Sequence, residues 1–342
     1  MDADYFPTTE WEPRRPSEVG MDGAVLSRID SAIRKDYRNI NGIVVSRNGY
    51  LVYERYYNDA CRRTKTHMTS VTKSFISALI GIAIDKKYVS GVDCPVGVLF
   101  PEYFAAKSIR IGDLLTMTVP YDYESWREPL DKLCMQADWM KYISTIIGRN
   151  GKMGEFKYSS AGAHVLSAVI SRATKQSARE FANDNLFSRI GIDAIPDFEM
   201  RSFGYEDLFG EKVRGWVKDP QGITTGGWGL TLTTQEMARF GLLYVNDGLW
   251  NNERVVSEEW ISDSTRPHSQ IDFDGVNMKY GYLWWLYDAD DVHVFAAVGD
   301  GGNAIFCIPG RKVVVAISSG FTFDAKDRWE LIRNYILPAI GD

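Results

Sequence analysis

Between residues 75 and 84 the chain reads Phe-Ile-Ser-Ala-Leu-Ile-Gly-Ile-Ala-Ile. Wound as a helix, this stretch places Phe75, Ile76, Leu79, Ile80, Ile82, Ala83 and Ile84 on nearly every face. Such a helix has no side to offer water, so the rest of the chain has to enclose it. The run falls well short of the ~18 apolar residues that cross a bilayer, and no other run approaches that length, so no membrane span is expected. A chain of 342 residues is long enough to bury the helix within two domains or one large one.

Immediately before the run stand Ser70-Val71-Thr72-Lys73, and Ser70 is the one serine with a lysine three residues on. If the helix begins at about Ser70, hydroxyl and amine share a face one turn apart. Serine becomes a nucleophile when a neighbour takes its proton, and a lysine does so only once burial or another cation lowers its pKa. The free N–H groups at the helix start would stabilise negative charge developing near Ser70. The alternative is a plain cap, with Ser70 closing the helix end and Lys73 snorkelling to water.

Composition narrows the classes. Net charge is −6 with pI near 5.4, and there is no basic run, so no nucleic-acid partner is expected. Cys61, Cys94, Cys134 and Cys307 are widely spaced, and His67, His164, His268 and His293 are isolated. The pattern contains neither Cys-x-x-Cys nor His-Glu-x-x-His, so no metal or other cofactor is expected, and the thiols are read as reduced. The start, Met-Asp-Ala-Asp-Tyr-Phe-Pro, lacks a basic region and an apolar core, which gives a cytoplasmic expectation. Oligomeric state is not readable.

Along the chain, apolar spacing predicts a helix over 23–36, then a hairpin of strands 42–46 and 51–57 about Asn48-Gly49. From about 92 to 198 the reading is mostly helical, with helices over 111–117, 139–147, 162–173 and 178–186. A glycine-rich bend, Gly226-Gly227-Trp228-Gly229-Leu230, leads to a helix over 233–246. Strands return over 280–287, 292–298, 303–308 and 312–318, and a helix over 324–337 closes the chain. Strands at both ends predict an α+β fold: one antiparallel sheet built from both termini, flanked by helices, with an inserted helical region. The domains are expected at 1–91 plus 200–342 and at 92–199, with the active site at their junction.

Two further stretches can complete a site around Ser70. In Phe156-Lys157-Tyr158-Ser159-Ser160, ahead of a helix, Tyr158 can carry a proton to a leaving group if Lys73 lowers its pKa; otherwise it is an aromatic anchor beside a serine cap. In Gly299-Asp300-Gly301-Gly302-Asn303, between two strands, glycines let backbone approach a substrate and N–H groups face an oxyanion; otherwise it is a glycine-rich turn. Tyr121, Tyr123 and Trp126 of an aromatic loop, together with Trp228, form a substrate wall or ordinary packing.

The order Ser-x-x-Lys, tyrosine, glycine-rich strand edge resembles the penicillin-recognising serine hydrolases: class C β-lactamases, DD-peptidases, family VIII esterases and 6-aminohexanoate-dimer hydrolases. The resemblance runs from the first helix to the last and takes in Asp113-Leu114-Leu115-Thr116-Met117-Thr118, Gly226–Leu230 and Tyr280-Gly281-Tyr282. It implies a β-lactamase/transpeptidase-like fold, with Ser70 as acylated nucleophile, Lys73 as its base and Tyr158 as proton relay. The N–H groups of Ser70 and Asn303 would form the oxyanion hole, and Ser160, Asp300, Gly301 and Gly302 would contact substrate.

The departures from that pattern sharpen the expectation. Ser160 stands where lactamases and peptidases of the family carry the asparagine of Tyr-x-Asn. Asp300-Gly301-Gly302 stands where they carry Lys-Thr-Gly. A carboxylate at 300 would repel the carboxylate of a β-lactam or a peptide end and could favour a cationic one. The expected activity is therefore an acyl-enzyme serine hydrolase acting on a small ester or amide, ahead of β-lactamase or DD-peptidase activity and of a non-catalytic binding relative.

Overall fold

A computed structural model of the chain describes residues 5–124, 128–273, 276–289 and 292–341. Its first elements follow local chemistry. Asp22 caps α1 (Gly23–Asp36) by accepting from the N–H groups of Ala24 and Val25, which otherwise have no partner in the helix. β1 (Ile40–Arg47) and β2 (Tyr50–Tyr56) meet at Asn48 and Gly49, with φ of 52° and 84°. That pair of left-handed residues is what a two-residue hairpin turn requires.

The apolar run is α2 (Thr72–Asp85), buried throughout from Thr72 to Ala83. It starts two residues later than the spacing predicts, because Thr69–Val71 form a tighter 3-10 turn entered from a left-handed Thr69. Short helices such as Ile111–Leu115 and Trp139–Ile146 follow, then α3 (Ser160–Thr174) and α4 (Thr234–Val245). Thr233 and Glu236 close the start of α4 as a reciprocal capping box,.

Six more strands complete the large sheet: β3 (Ser269–Phe273), β4 (Val276–Tyr280), β5 (Trp285–Ala289), β6 (Val292–Gly299), β7 (Asn303–Ile308) and β8 (Val313–Ser319). The sheet is antiparallel with order β2-β1-β8-β7-β6-β5-β4-β3. The first hairpin docks on the last strand, Ile43 opposite Ile317 and Val45 opposite Val315, so both ends of the chain build one sheet, as expected.

Three expectations are corrected. Residues 280–287 are not one strand: the chain leaves the sheet between β4 and β5, where Leu283 is left-handed (φ 61°) and the N–H groups of Tyr282 and Leu283 bond the carbonyls of Ser264 and Leu115. The closing helix begins at Arg328, capped by Asp327, and widens at once into a π-wound turn, Ile332–Ile336. The helix over 178–186 stops at Ala182 and widens in the same way over Asn183–Phe187.

One face of the sheet is covered by α1 and the C-terminal helical stretch, where Leu26, Ile29 and Ile33 join Val315, Ile317, Leu331 and Ile336 in one apolar layer. The other face carries α4, with α2 packed over it. Phe75 of α2 stacks on Phe240 of α4 at 3.7 Å between centroids, and burying a ring of this size contributes about 1.5–3 kcal/mol. Gly241 lets α4 lie on the strands, since a Cβ there would sit 2.5 Å from Val314 and 2.8 Å from Ile305. The first turn of α2 is thereby held against the β6–β7 edge. Among the described residues no helix is long and apolar enough to cross a membrane, and the four cysteines are unpaired thiols.

Candidate active site

Lys73 lies on the first turn of α2 and is 1% exposed. Its Nζ sits 2.8 Å from Ser70 Oγ, 3.0 Å from Ser160 Oγ and 2.8 Å from the Gly227 carbonyl oxygen. All three partners are neutral. Burial therefore dominates and pulls the amine down to about 7, against the smaller upward pull of Glu128 and Asp300. An amine so placed is partly unprotonated at neutral pH and within reach of the Ser70 proton.

Several groups aim Ser70. Thr69 carries φ 47°, a conformation that costs a β-branched residue on the order of 1–3 kcal/mol. It is held there by His67 Nδ1, which accepts the Thr69 N–H at 3.2 Å, and by its own Oγ1 donating to the Asp300 carbonyl at 3.0 Å. Burial brings His67 down to about 4, so its ring stays neutral and able to accept. Asn303 ties the same turn to the sheet, its Nδ2 donating to the His67 carbonyl at 3.3 Å while its Oδ1 accepts from Ser319 N–H at 2.9 Å. Gly299 closes the gap between strand and turn: a Cβ there would overlap Thr69 Oγ1, lie 2.6 Å from the Met68 carbonyl and come within 3.2 Å of Ser70 N.

Tyr158 faces this pair from the start of α3, with Lys73 Nζ 4.8 Å from its ring centroid. Burial raises its phenol well above the ordinary tyrosine value; a hydrogen bond with Ser70 opposes that rise, and the charges of Asp300 and Glu128 add to it. The condition that Lys73 lowers this pKa is not met, because burial outweighs the neighbouring charges, and the phenol is a neutral donor. Ser159 is the cap of α3, accepting from Gly162 N–H at 3.0 Å.

The aromatic residues divide. Trp228 lines the cleft above Ser70, stacked on Phe209 at 5.3 Å. Tyr121 and Tyr123 stack on each other at 5.6 Å, and Tyr123 Oη donates to the Tyr158 carbonyl at 3.0 Å; they buttress the Tyr158 backbone and are absent from the cleft lining. Trp126 lies outside the described residues. The cleft has a volume of about 570 Å³, with Ser70, Ser160, Asp300 and Asn303 in its wall. Phe321 and Phe323, edge-to-face at 5.0 Å, line it as well. Gly301 and Gly302, with φ of 80° and 88°, face a neighbouring hollow behind the Asp300 turn. Asp300 is exposed and has no ion pair among the described residues.

Glu128 was not foreseen from the sequence. Glu128 Oε2 accepts the Ser160 N–H at 2.5 Å, and both carboxylate oxygens accept from Ala161 N–H, at 3.2 and 3.1 Å. Nothing local to Glu128-Pro129 signals a partner 32 residues on. Among the described residues no group of His, Cys, Asp and Glu could hold a metal ion.

With this geometry in hand, comparisons with known proteins give a consistent picture. A family model described as Beta-lactamase matches residues 29–336. The chain is 23% identical to a 6-aminohexanoate-dimer hydrolase of Paenarthrobacter ureafaciens, covering 95% of this chain and 84% of that protein. Among solved structures, a Bacillus anthracis protein described as a candidate 6-aminohexanoate-dimer hydrolase superposes with TM-score 0.73 at 19% identity, covering 98% of this chain and 88% of the other. A family VIII carboxylesterase superposes with TM-score 0.65 at 15% identity, covering 94% and 98%.

Proposed function

Because this chain belongs to the beta-lactamase family, we propose that it is a serine hydrolase working through an acyl-enzyme on small esters or amides. Its relatives include hydrolases of that fold. The observation that carries the reading is the buried Lys73 amine, near pKa 7, 2.8 Å from Ser70 Oγ. Neutral Lys73 takes the Ser70 proton as Oγ attacks the substrate carbonyl. The N–H groups of Ser70 and Asn303 receive the oxyanion. Tyr158 then gives its proton to the leaving group and regains one from Lys73, and water releases the acyl group by the reverse sequence.

The cleft supports a substrate with an apolar body, since Trp228, Phe209, Phe321 and Phe323 line it together with Ser70. Asp300 at the wall disfavours a substrate carboxylate near the reacting carbonyl, which ranks β-lactams and peptide ends below neutral esters and amides. Incubation with a fluorophosphonate, followed by intact mass and peptide mapping, tests the reading. One adduct on Ser70, absent in Ser70→Ala together with p-nitrophenyl ester hydrolysis, is the expected result. No adduct and no ester hydrolysis would leave a non-catalytic binding protein of the same fold.

A further inference from the structure

We propose that Glu128 is a positioning residue for this reaction: it holds the Ser160 hydroxyl against Lys73 and places beside it a carboxylate whose charge the amine's proton feels. The inference rests on the acyl-transfer reading above.

The geometry is specific. Ser160 touches both sides, its Oγ 3.0 Å from Lys73 Nζ and its N–H 2.5 Å from Glu128 Oε2. Glu128 also takes the Ala161 N–H on both oxygens, so its carboxylate sits astride the first turn of α3, at the positive end of that helix. Helix capping alone does not account for it. Ser159 already fills the cap position on Gly162 N–H, and water ordinarily satisfies the first two N–H groups of a helix. A carboxylate brought into so dry a place costs free energy unless something compensates its charge.

The groups around Glu128 identify what compensates it. Facing it are Lys73 from α2, Tyr158 and Ser159 from the start of α3, and Tyr121 and Tyr123 from the loop before it. Cys134 of helix Leu130–Cys134 and Tyr142 of helix Trp139–Ile146 also feel its charge, together with that of Asp131. Asp300 acts on Lys73 from the sheet side. Among the described residues that act on Glu128, Lys73 is the one cation. Burial pushes Glu128 up to about 7, while its two N–H partners and Lys73 hold it back. Amine and carboxylate therefore titrate as a coupled pair, sharing the protons of the site.

The test follows the rate of Ser70 phosphonylation against pH in the wild type, E128Q, E128D and S160A. In E128Q the amine loses the charge that stabilises its proton, so the acidic limb moves to lower pH by about one unit, the lower end of what one nearby opposite charge produces. E128D keeps the charge and returns the limb toward its wild-type position. S160A leaves both backbone donors to Glu128 in place but removes one of the three contacts on Lys73, so labelling slows by about tenfold at every pH without moving the limb. An unmoved limb in E128Q overturns the electrostatic part, and a wild-type rate in S160A overturns the positioning part. If E128Q fails to fold, S160A decides the positioning part, and E128M, likewise uncharged and of similar length, takes the place of E128Q for the electrostatic part. Failure of the parent reading is distinct, because the wild type itself would then show no adduct at any pH.

Discussion

Lys73 makes the sharpest prediction. A solvated lysine titrates near ~10.4, so at pH 7 roughly one amine in 2,500 is free to act as a base. Here the amine is 1% exposed, bonded among the described residues to two hydroxyls and a carbonyl, and drawn down to about 7. A shift of about three units corresponds to roughly 4–5 kcal/mol of differential stability between the two protonation states. It raises the neutral fraction at pH 7 to about one half, a gain of about a thousandfold. The sign follows from the direction of the shift: below about 7 the folded protein holds the proton and the base is lost, and above it the base is free. The rate of Ser70 labelling by fluorophosphonate, read by intact mass, should fall about tenfold per pH unit on the acid side of ~7 and level off above it. Lys73→Arg keeps a cation that cannot deprotonate in this range, so labelling should drop by about a thousandfold while circular dichroism is unchanged. A rate that is flat across neutral pH, or that rises only near ~10, would refute the assignment of Lys73 as the base.

Three further outcomes are expected. Tyr158→Phe should slow anilide hydrolysis by about a hundredfold or more but p-nitrophenyl ester hydrolysis far less, because a nitrophenolate leaves without a proton; equal losses on the two substrates would remove the relay role. Gly299→Ala forces a Cβ into the Thr69–Ser70 turn, so the unfolding free energy should fall by about 1–3 kcal/mol with labelling slowed at least as much as in S160A, and denaturant melts with unchanged midpoint and rate would contradict the close approach. Asp300→Asn should reduce kcat/KM for amine-bearing substrates relative to neutral ones by a few-fold, the scale of one exposed charge; an unchanged ratio ends the case for cation preference.

The parts of the fold and site that could be read from the chain are those whose signal is local. Asn48-Gly49 specifies a turn through its own backbone preferences, the Ser70–Lys73 spacing specifies one helix face, and the apolar run of α2 requires burial whatever surrounds it. Ser159 caps α3 for the same kind of reason. Where distant groups intervene, the local pattern misleads. Residues 280–287 are rich in strand-forming aromatic residues, yet Ser264 and Leu115 draw the backbone of Tyr282 and Leu283 away from the sheet. For Tyr121 and Tyr123 the composition leaves wall and packing open, and the contact that bears on the choice, Tyr123 Oη to the Tyr158 carbonyl, joins residues 35 apart.

The chain alone determined that a hydroxyl and an amine share the head of an enclosed helix, since periodicity and spacing depend only on neighbours in sequence. Only the tertiary structure decided how that amine titrates and what surrounds it. Its desolvation, the Gly227 and Ser160 oxygens that orient it, and the Glu128 charge beside them arrive from segments 87 to 154 residues away or through a further carboxylate contact. Electrostatic energy depends on separation in space and on the exclusion of water, and neither quantity is written in the order of the residues.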